Sequence, residues 1–454
     1  MQAPFDIAAD LHTPVSAFLR LADLGPRHLL ESVEQGGQGR YSFIGFGETS
    51  RIRVSEAGVA VDGGLVSADV LGGLRSALDC VPRLGPTISG QPFAGGLVGA
   101  TAFDMVRHLY RLPASPHAPF APLGAYMSTE SQLVFDHFTR RIALLHAGSD
   151  ADRTALRDEV IAALSGPVQL PGAAGRRQQP RPSLTKEEFV GRVHRVKGHI
   201  TAGDVYQLVL SIRFSGESDL SPFIVYRALR LLNPSPYMYF LDFGDMQVVG
   251  SSPEALVKLR GETAELRPIA GTRRRGVDDD HDHALERQLL TDPKEAAEHV
   301  MLVDLARNDL GRGAVAGSVR VDPYRVIERY SHVMHLVSGV QGRLRPELDQ
   351  FDLFAATFPA GTVSGAPKLR AIELIDELEP VGRGLYSGSV GYFGRGGSMD
   401  QAITIRTIVF QDGGYSYQAG AGIVADSDPE LEHDEVLMKG AALDEALDLA
   451  EEGL

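Results

Sequence analysis

The sequence predicts an α+β fold rich in antiparallel sheet, on three observations. Short β-type runs succeed one another through tight turns instead of alternating strictly with helices. The helical stretches open on recognisable caps, Thr185 with Glu188 and Asp292 with Pro293 among them. The 454 residues are 43% hydrophobic and 23% charged, which suits a globular protein with one wide core or two to three domains.

Taken in order, residues 27–47 read as a strand, a Gly-rich turn and a second strand. Residues 51–66 alternate around Gly58 as a hairpin, and 133–145 read as a further strand pair. One helical patch, 70–78, interrupts them. Residues 165–183 are Pro- and Gly-rich without periodicity and read as a linker between regions 1–165 and 183–454. Then follow a helix from Thr185 to Gly203, a strand at 205–214, a helix opened by Ser221-Pro222 and strands at 246–250, 255–259 and 264–268. The acidic run 278–283 reads as a hydrated loop. The central helix starts at Asp292, with Glu295 at the capping-box position and Ala297, Met301 and Leu305 marking its inward face. A helix ends near Glu379. Strands at 386–393, 402–410 and 415–424 precede a last helix, 429–450.

Composition excludes several function classes. Lys and Arg number 44 against 59 Asp and Glu, a net charge of −15, so no basic face for nucleic acid is expected. An anionic ligand must be held by local Arg, Lys, helix N-termini or metal against that overall field. The single cysteine, Cys80, rules out an internal disulfide framework and is expected to be a buried structural thiol. No apolar run is long enough for a bilayer, and the N-terminus lacks signal-peptide features. The expected location is cytoplasmic, with neither membrane nor nucleic acid as partner.

Two helices carry the chemistry. Glu295 and Glu298 stand at i and i+3, as do Glu432 and Glu435, with Lys439 one turn further. Taken alone, each pair reads as readily as a solvated helix face. Converging, they would suit Mg²⁺, which takes one or two protein carboxylates and fills its shell with water and substrate. Gly-rich stretches at 270–272, 361–367 and 420–422 can present backbone N–H groups to an anion. The 361–367 run lacks the Gly-Lys-Ser/Thr of a nucleotide loop. Residues 394–397 read as a hairpin turn. Arg406 lies in an otherwise apolar strand, sharing a face with Thr404, and a buried Arg needs an anion, whether a ligand or a structural carboxylate. His335 reads by itself as a core histidine.

The motifs LLES (29–32), GRYSFIG (39–45), NPSPYM (233–238), SSPE (251–254), RPIAGTRRRG (267–276), DPKEAAEHVMLVDLARNDLGR (292–312), FPAGTVSGAPK (358–368), YSGSVGYF (386–393) and AGAGIVADSDPE (419–430) together resemble the chorismate-utilising enzymes, in particular their anthranilate-synthase branch. The likeness is dense from 183 to 445 and sparser before 165. It implies two packed antiparallel β-sheets flanked by helices, with the N-terminal region contributing a tryptophan site. It further implies Glu298 and Glu435 as Mg²⁺ ligands with Glu295 and Glu432 close behind. Tyr386, Arg406 and the backbone of Gly420, Ala421 and Gly422 would hold the enolpyruvyl carboxylate of chorismate. Ala270, Gly271, Thr272 and Thr362 would line the pocket, and Lys439 would add positive charge. Glu254 would be the general acid and His335 would assist elimination.

The resemblance also implies a product. Isochorismate and salicylate synthases carry a lysine where this chain has Gln207, so ammonia rather than water is the expected nucleophile. Many aminodeoxychorismate synthases carry a lysine where this chain has Ala270, which favours anthranilate. Aminodeoxychorismate formation, and a catalytically idle tryptophan-binding regulator, stand as alternatives. No Gly-x-Cys-x-Gly nucleophile turn is present, so a separate glutamine amidotransferase is the expected ammonia source. The tryptophan inhibition site would comprise Glu31, Ser32, Asn233, Pro234, Ser235, Tyr237, Met238, Phe240, Gly391 and Tyr392.

Overall fold

A computed structural model describes residues 4–32, 39–118, 121–168, 170, 175–329 and 333–454, the side chain of Thr272 excepted. Among them 21 strands join one hydrogen-bonded network, and three more form a small separate sheet. All pairings between these strands are antiparallel. With the eleven α-helices of the described residues packed around them, the fold is α+β, as the pattern of short runs and caps predicts.

Alternation along the strands builds two cores. In Tyr237–Asp242, Met238 and Phe240 face a core shared with the helices, while Tyr239 and Leu241 enter a second one. Leu133 and Phe135 divide from Val134 in the same way, as do Ile142 and Leu144 from Ala143 and Leu145. The second core draws its residues from strands and their connections, so it lies between strand layers, and the first lies beneath the helices. Strands from far apart are neighbours: His28–Glu31 pairs with Tyr237–Asp242, and Gly96–Thr101 with Ser389–Gly394.

Most predicted elements form. Thr185 caps Lys186–Ala202 through a full capping box with Glu188, and Gly203 ends it in the left-handed conformation. Residues 394–397 do turn a hairpin between Ser389–Gly394 and Met399–Ile403. Residues 33–38 of the predicted strand, turn and strand at 27–47, and residues 169 and 171–174 of the predicted linker, lie outside the described residues.

Several expectations are corrected. The acidic run is no loop: Asp278 caps a helix, Asp279–Thr291, whose first turn gathers acidic groups against the positive end of the backbone dipole. Helices Pro14–Arg20 and Asp150–Ser165 also form; the second is polar, and its start is a Ser149–Asp152 capping box. In the central helix, Pro293–Gly311, Asp292 caps alone, because Glu295 turns to Arg273 at 3.0 Å. Its buried stripe is His299, Leu302, Val303, Ala306 and Leu310, while Ala297 is exposed. The expected strand 402–410 is two strands, Met399–Ile403 and Thr407–Gln411, parted where Arg406 takes φ +49°. Cys80 closes the helix Val70–Cys80 and is exposed rather than buried.

Candidate active site

The site is built on the adjoining strands Gln207–Glu217 and Gly414–Ile423, whose register sets Val209 opposite Gly422 and Ser211 opposite Gly420. Both glycines answer to steric need. A Cβ on Gly420 would lie 2.7 Å from Tyr386 Oη, and one on Gly422 would lie 2.6 Å from Gln207 Nε2. Tyr386 and Gln207 therefore close directly over bare backbone.

The C-terminal helix, Pro429–Glu452, starts on the Asp428 cap and brings Lys439 to this strand, where its Nζ donates to Gly420 O at 3.0 Å. The same ammonium pairs with Glu435 at 2.7 Å. Its field also reaches Glu254, Glu298 and Glu432. Lys439 thus connects groups from three distant parts of the sequence.

The two Glu-x-x-Glu helices converge. Glu298 is exposed, yet its carboxyl is held above the ordinary range, first by partial desolvation, then by repulsion from Glu295 and Glu435. Burial and then Glu435 likewise raise Glu432, offset by Ser427, Lys439 and Lys294. Among the described residues no three His, Cys, Asp or Glu side chains close into a cluster able to hold a metal alone. The crowding of Glu298 by Glu295 and Glu435 is of the kind that a hard divalent cation such as Mg²⁺ would relieve.

Glu254 follows Pro253 between the strands Met246–Ser252 and Ala255–Arg260. Its surroundings desolvate it and push its carboxyl up to about 7; Thr362 and Lys439 favour the ionised form and offset part of that rise. The Thr362 hydroxyl is sealed from solvent and has no partner of close hydrogen-bond geometry, so its hold on Glu254 is weak. Behind Glu254 lies a cavity of about 40 Å³, bounded by Leu302, Asp309, Thr357 and Thr362.

On the small sheet, His335 stands opposite Thr272, and a bulge between Ala270 and Thr272 frees Gly271. Gly271 takes φ +55°, and a Cβ there would meet Leu289 Cδ1 at 2.6 Å and Glu295 Oε2 at 2.9 Å. The His335 Nδ1 lies 3.3 Å from Gly271 O; burial, then the charge of Arg406, lower its pKa. Ala270 is buried in its strand, and the side chain of Thr272 is outside the described residues. Arg406 pairs with no carboxylate among the described residues. Its nearest polar partner is Asn233 Oδ1 at 3.4 Å, and burial lowers its pKa.

A second cavity, of about 120 Å³, receives Glu31, Ser32, Tyr237, Met238, Gly391 and Tyr392 from the predicted inhibitor set. Asn233, Pro234, Ser235 and Phe240 do not line it. Asn233 turns to Arg406, and Phe240 packs with Phe18 and Phe223. Glu31 is buried and held by Tyr226 and by Arg230 at 2.6 Å. Tyr237 donates to Asp400 at 2.9 Å, and Lys258, Arg260 and Arg267 add positive charge.

Sequence reasoning passed over two buried ion pairs beneath the site, Arg383 with Glu379 at 2.7 Å and Lys368 with Asp309 at 3.0 Å. The i,i+4 spacing of Glu379 and Arg383 was the available signal for the first; the second joins separate segments and left none.

The family model for chorismate binding enzymes matches residues 26–445, and the chain belongs to that family. Within it, the chain is similar to anthranilate synthase component 1 of Pseudomonas aeruginosa, 44% identical over 99% of this chain and 96% of that one. It is also similar to component 1 of Thermus thermophilus, at 45% over 98% and 97%. Among solved structures, anthranilate synthase component I from Streptococcus pneumoniae superposes with a TM-score of 0.81 at 35% identity, covering 98% of this chain and all of that one.

Proposed function

We propose that this chain is the synthase component of an anthranilate synthase, converting chorismate and ammonia to anthranilate, pyruvate and water in tryptophan biosynthesis. The observation that carries the proposal is the meeting of both Glu-x-x-Glu helices, the Gly420 strand and Glu254 in the field of the one ammonium of Lys439. The relatives' name, component 1, supports a partner component, which we take to be a glutamine amidotransferase delivering ammonia.

In this reading the enolpyruvyl carboxylate lies against Arg406, Tyr386 and the Gly420–Gly422 backbone, and the ring carboxylate faces Glu298 and Glu435. Mg²⁺, when bound through those two with Glu295 and Glu432 behind, supplies a Lewis acid that draws charge from the ring carboxylate. Ammonia adds at ring carbon 2 as the double bonds shift and the carbon 4 hydroxyl departs. Glu254, protonated near neutral pH, gives that hydroxyl the proton with which it leaves as water. The carbon 2 hydrogen is then lost as a proton, with His335 assisting. The enolpyruvyl methylene gains a proton, and the departure of pyruvate makes the ring aromatic. Gln207 offers no base to activate water, which leaves ammonia as the nucleophile.

The 1–165 region supplies one wall of the second cavity, which we assign to tryptophan acting as feedback inhibitor. Its mixed charges and its ring-lined floor suit an aromatic amino-acid zwitterion. A cytoplasmic enzyme is the corresponding setting; among the described residues no helix is long and apolar enough to cross a membrane. The test is to incubate the purified protein with chorismate, Mg²⁺ and ammonium. Anthranilate fluorescence supports the proposal; aminodeoxychorismate, or no product, overturns it.

A further inference from the structure

Arg383 sits beneath the floor of the site, fully enclosed, and no step above uses it. It spends its donors on four separate segments. Nε donates to Glu379 Oε2 at 2.9 Å, and Nη2 donates to Glu379 Oε1 at 2.7 Å and to Val209 O at 2.8 Å. Nη1 donates to Val363 O at 2.7 Å and Ser387 Oγ at 3.2 Å. The guanidinium lies 5.5 Å from the ring centroid of Tyr386 and 4.8 Å from that of Phe103. Glu379 in turn accepts from both the amide and the hydroxyl of Ser211, at 2.9 and 2.6 Å, and Ser211 stands opposite Gly420.

We propose that Arg383 is a positioning residue for the reaction: its planar fork fixes the Gly361–Val363 turn and the Tyr386 ring, so that Thr362 stays beside Glu254 in their shared cavity and Tyr386 stays over the substrate site. The argument is geometric. Val363 follows Thr362, so a bond to its carbonyl sets where the Thr362 hydroxyl points. Ser387 follows Tyr386 and takes φ +62°, a conformation that L-residues rarely adopt. A lone ammonium cannot hold Glu379, Val209 O, Val363 O and Ser387 together, whereas a guanidinium with five rigid donors does. The proposal rests on the roles assigned to Glu254 and Tyr386.

The test uses Arg383→Lys in the full chain, with chorismate, Mg²⁺ and ammonium. Lysine keeps the buried charge opposite Glu379 while releasing the turn. The expected result is a folded enzyme whose kcat falls about 10²-fold, the scale of an ångström's misplacement, with a raised KM for chorismate. The alkaline limb of its kcat profile moves by a small amount to higher pH, because the weak hold of Thr362 on ionised Glu254 is lost. Thr362→Val must move the limb the same way. The charged groups facing Glu254 are Lys439, Arg267 and, across the cavity, Asp309 with Lys368. None of them is a hydrogen-bond partner of Arg383, so the limb reports the turn. Should Arg383→Lys fail to fold, Ser211→Ala loosens Glu379 more gently and is expected to give the same displacement, smaller. A folded variant of either kind with wild-type kcat, KM and limb overturns the proposal. If Glu254→Gln retains full activity, the underlying reading of Glu254 falls instead, a separable result.

Discussion

Replacing Glu254 with glutamine separates the catalytic role proposed for it from its energetic one. The fold raises this carboxyl from the ordinary glutamate value to about 7, through desolvation that Thr362 and Lys439 only partly offset. Between the unfolded and folded pKa values the native state keeps a proton that the unfolded chain has released, so stability falls as pH rises through that window. At about 1.4 kcal/mol per pH unit, full ionisation opposes folding by about 3 kcal/mol. Glutamine mimics the protonated acid and escapes this loss. The variant should therefore gain on the wild type by about 2–3 kcal/mol between pH 5 and pH 8.5. For a chain of this length the unfolding entropy is about 1 kcal/mol/K, so the melting temperatures should separate by about 2–3 °C over that range. Loss of the proton donor should lower kcat by about 10²–10⁴-fold. Wild-type kcat should decline as pH rises through about 7, whereas the residual rate of the variant should not. Calorimetry at the two pH values with an anthranilate fluorescence assay reads both. A variant as active as wild type, or a melting gap independent of pH, refutes the reasoning.

Glu298→Ala should abolish Mg²⁺-dependent turnover and leave the melting temperature within about 1 °C, since this residue is exposed. Titration with Mn²⁺ as a paramagnetic probe should show weakened metal binding in that variant even without turnover. Gly420→Ala places a methyl 2.7 Å from Tyr386 Oη and 2.9 Å from Leu210 O, and should raise KM for chorismate at least about tenfold, read from steady-state kinetics. Tyr237→Phe removes the hydroxyl that meets Asp400 beside the second cavity. It should weaken tryptophan inhibition by about tenfold with kcat unchanged, in inhibition curves against added tryptophan. An unaltered curve would remove Tyr237 from the inhibitor site.

The legible parts of this fold are those decided within one turn or one hairpin. Thr185 and Glu188 announce their helix because both halves of the capping box lie in four residues. The Glu-x-x-Glu pairs are likewise local, and one face each is all that periodicity can promise. That the two faces meet is a tertiary fact, visible only through Lys439 and the mutual repulsion of Glu298 and Glu435. Arg406 shows the opposite failure. Alternation in AITIRTIVF reads as one strand, yet a single left-handed residue splits it and aims the guanidinium toward Asn233. The acidic run misled because Asp and His after a strand resemble solvent-facing loop, when Asp282 is buried between Arg275 and Arg329. Both of those partners come from outside the helix that carries it.

The second cavity has walls drawn from opposite ends of the chain: Glu31 pairs with Met238, and Gly391 with Gly99. A ribosome that has released only the first half of the protein has not yet completed this cavity. Contacts of such sequence separation are slow to form, because loop entropy is lost before they reward it. The tryptophan site we propose for this cavity is in this sense a late-acquired property of each molecule. It also serves as a report of completeness, since a polypeptide cut short before Gly391 would lack one wall of the pocket.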